Sequence, residues 1–165
     1  YENFLLTLHR RLTIKIIMAY AAKDIANKLV YMAQDDVANG GDAMTNLKLQ
    51  KLLYYEQGYH LAVFNEPLFN ESIEAWMYGP VVPEVYDTFK DNGSTALSFE
   101  GEPLELSDDE EDLFRQVYDA FRDYSAIGLM NRTHSEPTWQ NAKPTGKGTV
   151  ISIDSMKSFF KTQLS

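Results

Sequence analysis

The sequence predicts a mostly α (α+β) domain: a compact helical body of about six or seven helices carrying a small β-element of two or three short strands. Three observations carry this reading. Apolar residues recur at three- and four-residue steps in several separate stretches, the period of a helix with one face turned inward. Only residues 73–78 clearly alternate in the manner of a strand. Strands and helices do not take turns along the chain, which argues against a parallel α/β sheet. The 165 residues suit one domain, placed at 18–165 behind an N-terminal extension over 1–17.

Ala22, Ile25, Ala26, Leu29, Ala33 and Val37 form the first helical stripe, and Gly40-Gly41 stops it. Thr45 or Asn46 caps the next helix, in which Leu49, Leu52, Tyr55, Tyr59 and Ala62-Val63 recur to about Phe64. Gly58 inside that helix costs about 1 kcal/mol against Ala, so close approach of another backbone is expected there. Asn65-Glu66-Pro67 is a turn. Residues 73–78 form a short strand, with Ile73, Ala75 and Met77 on an apolar face and Trp76 and Tyr78 on an aromatic one. Gly79-Pro80 ends it, and Pro83 opens a helix carrying Val85, Tyr86 and Phe89 up to Asn92-Gly93.

Residues 94–106 read as loop with a short strand at Leu97–Phe99. Ser107 and Glu110 make a capping box, and Leu113, Phe114, Val117, Tyr118 and Phe121 give the following helix a well-defined apolar face. A helical piece over 125–131, a short helix opened by Ser135 and Pro137 around Trp139, a loop over 143–149, a strand at Val150–Ile153 and a last helix from Ser155 complete the chain.

The composition excludes several chemistries. Without cysteine there is no disulfide framework, thiolate zinc site or cysteine nucleophile. The net charge of −9 disfavours sequence-independent binding to nucleic acid or anionic membrane and suits a basic protein partner. The segment 1–17 is the exception, with Arg10, Arg11 and Lys15 against Glu2. Its apolar run Phe4–Leu8 is far shorter than the roughly 20 residues of a membrane span, and the basic pair follows that run, unlike in a secretory signal. The extension is read as lying outside the core, or as a basic arm docking on the acidic body or on a partner.

No motif for catalysis survives inspection. His9, His60 and His134 never fall at HxxxH spacing, and GKGT at 146–149 lacks the earlier Gly and the Ser or Thr of a phosphate-binding loop. His60 reads as a packing residue. His134 is a candidate base, but hydrogen bonding to loop backbone is the commoner role. The acidic run Asp108–Asp112 lacks the alternating ligands of a calcium loop and reads as a solvated helix start. No catalytic, cofactor-binding or metal-ligating residue is assigned, and a non-enzymatic chain is expected.

The segment IEAWMYGPVVPEVY (73–86) points to recognition instead. Two prolines stiffen it, so little entropy is lost on binding, and Trp and Tyr are the residue types that anchor interfaces. Trp76, Tyr78, Gly79, Pro80, Val81, Val82, Pro83 and Tyr86 are the candidate partner-binding residues. Trp76 and Tyr86 serve equally well as core fillers, so the segment supports both roles.

LKLQKLLYYEQGYHLA (47–62), PLFNESIEAWMYGPVVPEVYDTFK (67–90) and Thr133-His134 with Trp139 together resemble the Panacea domain of the SocA-like, phage-associated antitoxins, over roughly residues 20–163. The resemblance implies a cytoplasmic bacterial or prophage-encoded antitoxin that binds a co-encoded protein toxin directly and needs no cofactor. It also leaves open an adaptor that delivers the toxin to a cytosolic AAA+ protease. A transcriptional regulator is the least favoured alternative, because the acidic charge and the lack of room for an added DNA-binding domain both weigh against it.

Overall fold

The helix expected from Thr45 to Phe64 shapes the whole molecule. Its interior carries seven polar or charged residues between its apolar ones, yet nearly all of it is buried. An amphipathic helix would leave such residues in water. Here neighbours cover every side, and each of the polar groups that follow holds a particular piece of chain. The computed structural model describes residues 19–142 and 148–164. Among them are seven α-helices, one 3₁₀ turn and a three-stranded antiparallel sheet, as the sequence predicts.

Helix α1 (Ala22–Ala38) buries Ile25, Ala26, Leu29 and Ala33 on the expected stripe, while Val37 stays exposed in its last turn. Its first amide, Ala22 N, is capped from afar by Glu71 Oε2 at 2.6 Å, a carboxylate at the positive end of the helix dipole. Helix α2 (Asn46–Phe64) starts at Thr45, whose hydroxyl accepts from Lys48 N, and ends at Asn65 in the left-handed region (φ 59°), a conformation Asn tolerates.

Gln57 of α2 fastens the loop after it: its Nε2 donates to Phe69 O at 2.8 Å and its Oε1 accepts from Leu68 N at 2.7 Å. His60 bridges Glu66 O (2.7 Å) and Glu110 Oε2 (2.8 Å), so it ties a turn to a second helix instead of merely packing. The Lys48 ammonium donates to Arg122 O at 2.6 Å, and burial lowers its pKa.

The β-element differs from expectation. Strand β1 covers Glu74–Trp76 and β2 covers Gly79–Val81, paired antiparallel with Trp76 opposite Gly79 and Glu74 opposite Val81. Met77 and Tyr78 are the turn between them. The dipeptide Gly79-Pro80 therefore begins a strand where the sequence reading ended one. β2 is an edge strand in the order β2-β1-β3, and an edge tolerates a proline that has no amide hydrogen to give.

Helix α3 (Pro83–Phe89) has Pro83 in its first turn and runs into a 3₁₀ turn at Lys90–Asn92. No strand forms at 97–99. That stretch is pinned singly, Leu97 N to Met44 O at 2.7 Å and Phe99 N to Gln34 Oε1 at 2.6 Å, with no neighbouring strand to extend a ladder.

Helix α4 (Asp108–Phe121) follows Ser107, but the Ser107 hydroxyl donates to the Glu110 carboxylate (2.6 Å) rather than accepting from the backbone. Glu110 also takes His60 and Tyr20, and these bonds lower its pKa against the opposing effect of burial. Helices α5 (Ala126–His134) and α6 (Pro137–Ala142) follow, so His134 closes a helix instead of sitting in a loop, and its ring stacks on Trp139 at 4.0 Å. Strand β3 (Thr149–Val150) pairs with β1, and α7 (Ile153–Lys161) begins two residues before the expected Ser155, with Ser152 as its cap. The extension 1–17 and most of the 143–149 loop lie outside the described residues.

Helix α7 crosses α2 at Gly58. A Cβ on Gly58 would lie 2.1 Å from Phe160 Cε2, so the partner in close approach is an aromatic ring and not a backbone. Around that ring Tyr55 stacks on Phe121 at 4.1 Å, and Tyr54 and Tyr59 meet Phe160 edge-on at 5.3 and 5.0 Å.

One carboxyl lies beside this cluster. Tyr55 OH donates to both oxygens of Glu136 at 3.2 and 3.3 Å, and burial raises the Glu136 pKa from 4.5 to about 7, against the lowering effect of those bonds and of Arg132. The folded state thus holds a proton that the unfolded chain releases. Stability is expected to fall as pH rises from 4.5 to about 7, with a slope approaching ~1.4 kcal/mol per pH unit. Urea unfolding of the protein and of Glu136→Gln over this range checks it: the difference between the two curves should show that slope, and parallel curves would rule it out.

Candidate protein-binding groove

The turn at Met77-Tyr78 projects from the sheet. Met77 is 73% exposed and Tyr78 62%, the two most exposed large apolar side chains among the described residues. Beneath them runs a groove of about 740 Å³. Asn46, Leu47, Gln50 and Lys51 of α2 form its floor. The hairpin contributes Ala75, Trp76, Met77, Tyr78 and Val81 to the lining, and Tyr86, Lys90 and Gly93 complete it. The surface is apolar for the most part, as binding pockets are.

The sequence placed each wall residue by a separate local device. Pro83 fixes the first turn of α3, which sets Tyr86 against Trp76 in an edge-to-face pair at 5.0 Å and 64°. Asn46 Nδ2 donates to Tyr86 O at 3.1 Å and joins α3 to the start of α2. Gln50 Oε1 accepts from Val82 N at 2.9 Å, and the Lys51 ammonium donates to Pro80 O at 3.0 Å. Two side chains from the floor helix thereby satisfy the chain in the middle of β2 and just after its end. Trp76 is held from both sides: its Nε1 donates to Glu74 Oε2 at 3.0 Å, and its carbonyl accepts from Trp139 Nε1 at 2.9 Å.

Of the eight residues expected to meet a partner, Trp76, Tyr78, Val81 and Tyr86 line the groove. Gly79 and Pro80 are buried in the hairpin behind it, Val82 belongs to the hydrophobic core, and Pro83 is half-buried at the start of α3. Met77 was assigned to the apolar face of a strand, but it sits in the turn and is open to solvent. Lys51 was not singled out at all. It is fully buried on the groove floor, and burial alone lowers its pKa from 10.5 to about 7. A lysine inside an apolar helix pattern was the signal for it. His134 lies elsewhere, stacked on Trp139.

Comparison with known proteins follows the same stretch of chain. The family model described as Antitoxin SocA-like, Panacea domain matches residues 49–140, more than half of the sequence. The chain belongs to this family. Within the Panacea domain the matched stretch holds the hairpin, α3 and, of the groove floor, Gln50 and Lys51, and stops before β3 and α7. Among curated proteins, Antitoxin SocA of Caulobacter vibrioides (strain NA1000 / CB15N) is 43% identical over 72 residues. That alignment covers 44% of this Panacea protein and 36% of the relative, so the two share about a third of the relative's length. No solved structure matches. No helix among the described residues is long and apolar enough to cross a membrane.

Proposed function

We propose that this chain is an antitoxin that neutralises a co-encoded protein toxin by direct contact, with the groove and the Met77-Tyr78 turn as part of the contact surface. The exposure of that apolar pair on a hairpin held by Gly79 and Pro80 carries the reading. Two large apolar side chains kept in water cost nothing in a complex that covers them, and a preformed hairpin loses little entropy on docking. The family and the net charge of −9 favour a protein partner, and a basic one in particular.

The test is co-expression with the neighbouring open reading frame, followed by a binding measurement between the two purified proteins. The neighbour alone should arrest growth, and this protein should restore it. The double variant Met77→Ala/Tyr78→Ala should lose at least about tenfold in affinity while its melting temperature stays unchanged, because neither side chain is part of the core. A harmless neighbour defeats the antitoxin reading, and full affinity in the double variant defeats the assignment of the surface.

A further inference from the structure

The chain has six methionines and no cysteine, so no thiol competes with its thioethers for an oxidant. Five of the six are among the described residues, and four of those are shielded. Met44 and Met156 belong to the hydrophobic core, and Met32 on α1 and Met130 on α5 are half-buried. Met77 is the exception, at 73% exposure. The base of its turn is fixed on both sides. Trp76 pairs with Gly79 across the hairpin, and the Trp76 carbonyl accepts from Trp139 Nε1 at 2.9 Å. Lys51 and Thr133 pack closely against Gly79. With that base in place, the Met77 thioether stays presented to water beside Tyr78, on the surface assigned above to the partner.

We propose that Met77 is a site of reversible oxidation by peroxides, and that its sulfoxide loosens the partner's hold on the hairpin turn. The inference rests on the reading above that this turn meets the partner. In the reaction the Met77 sulfur gives a lone pair to one oxygen of hydrogen peroxide. The S–O bond forms as the O–O bond breaks, and the second oxygen leaves as hydroxide, which takes the proton of the first and becomes water. Sulfur loses two electrons and the peroxide gains them. The product replaces a flexible apolar tip by a polar, chiral one. A complex that covers the turn must then bury a sulfoxide oxygen next to an apolar groove, and an acceptor buried without a donor opposes binding. A sulfoxide reductase with a dithiol as electron donor returns the oxygen as water and restores the thioether.

The first test needs this protein alone. Treatment with dilute hydrogen peroxide, followed by peptide mass mapping over time, should show Met77 gaining one oxygen at least about fivefold faster than Met32, Met44, Met130 or Met156. The melting temperature of the product oxidised at Met77 should match that of the untreated protein, because this side chain is outside the core. Oxidation of Met77 no faster than that of the core methionines overturns the proposal without touching the antitoxin reading.

The second test adds the purified product of the neighbouring gene. The protein oxidised at Met77 should bind it at least about tenfold more weakly than the untreated protein, and treatment with the reductases for both sulfoxide epimers should restore the affinity. Met77→Leu keeps the apolar bulk and removes the sulfur, so it should bind normally before and after peroxide. Full affinity in the oxidised protein overturns the proposal. So does an equal loss in peroxide-treated Met77→Leu, which assigns the effect to another side chain. A neighbour that never binds the untreated protein defeats the antitoxin reading and the loosening with it, while the peptide mapping still decides whether Met77 is the oxidation site.

Discussion

Phe160→Ala is expected to lower stability by about 3–5 kcal/mol, the largest loss from any single substitution considered for this protein. Phe160 is 1% exposed and lies where α7 crosses α2, ringed by Tyr54, Tyr55 and Tyr59. Truncation removes buried apolar surface and leaves a cavity that three rigid rings cannot close. Gly58 sits directly under it, and a Cβ there would lie 2.1–2.4 Å from three atoms of the ring. The ring has no room to retreat, so Gly58→Ala forces an overlap costing about 1–3 kcal/mol beyond the ~1 kcal/mol that Ala contributes to an α-helix. The two losses should not add. Once Phe160 is Ala the overlap is gone, and Gly58→Ala then becomes neutral or stabilising by about 1 kcal/mol. Urea unfolding of the wild type, both single variants and the double variant measures this coupling. Losses that sum within error would show that the glycine is there for another reason.

That contact also marks where sequence reading reached its limit. Gly58 was legible as an oddity in a helix, but a sequence does not say which distant element arrives there, and α7 lies some hundred residues further on. Stripes on α1 and α4 were legible because each faces the core on one side only. On α2 the same periodicity described only part of the truth. Lys48, Gln50, Lys51, Gln57 and His60 break the apolar pattern, yet each is buried with a hydrogen bond to a distant segment. Burial of those groups depends on partners that local patterning does not encode.

The candidate surface shows the same division. The segment 76–86 stood out through its aromatics and prolines, and the structure sets five of its residues, Trp76, Met77, Tyr78, Val81 and Tyr86, on one groove. The hairpin itself was missed because Gly79 and Pro80 are strand breakers except at an edge, and edge position is a property of the sheet. With the turn placed two residues late, Met77 fell in a strand.

Gly79→Ala is expected to cost about 2–4 kcal/mol and to distort the groove as well. Gly79 has φ +103°, in the region that favours glycine, so any side chain there is strained before packing is considered. The space is also taken: a Cβ would lie 2.7 Å from Lys51 Cε and 2.8 Å from Thr133 Oγ1. Neither neighbour yields easily. Thr133 is fully buried with its hydroxyl donating to Met130 O, and Lys51 is fully buried with its ammonium on Pro80 O. Lys51 has the more flexible chain, so it is the one expected to shift, carrying the groove floor with it and weakening partner binding together with stability. Gly40→Ala separates the two contributions. Gly40 has φ +90° and nothing within 4 Å of its would-be Cβ, so it reports backbone strain alone, about 1–2 kcal/mol. Thermal melts of both variants, with the partner's affinity measured for each, give the comparison. Gly79→Ala should lose more stability than Gly40→Ala and should alone lose affinity; equal losses with full affinity in both would mean that Lys51 and Thr133 move aside freely and that the groove floor is not held in place by the hairpin.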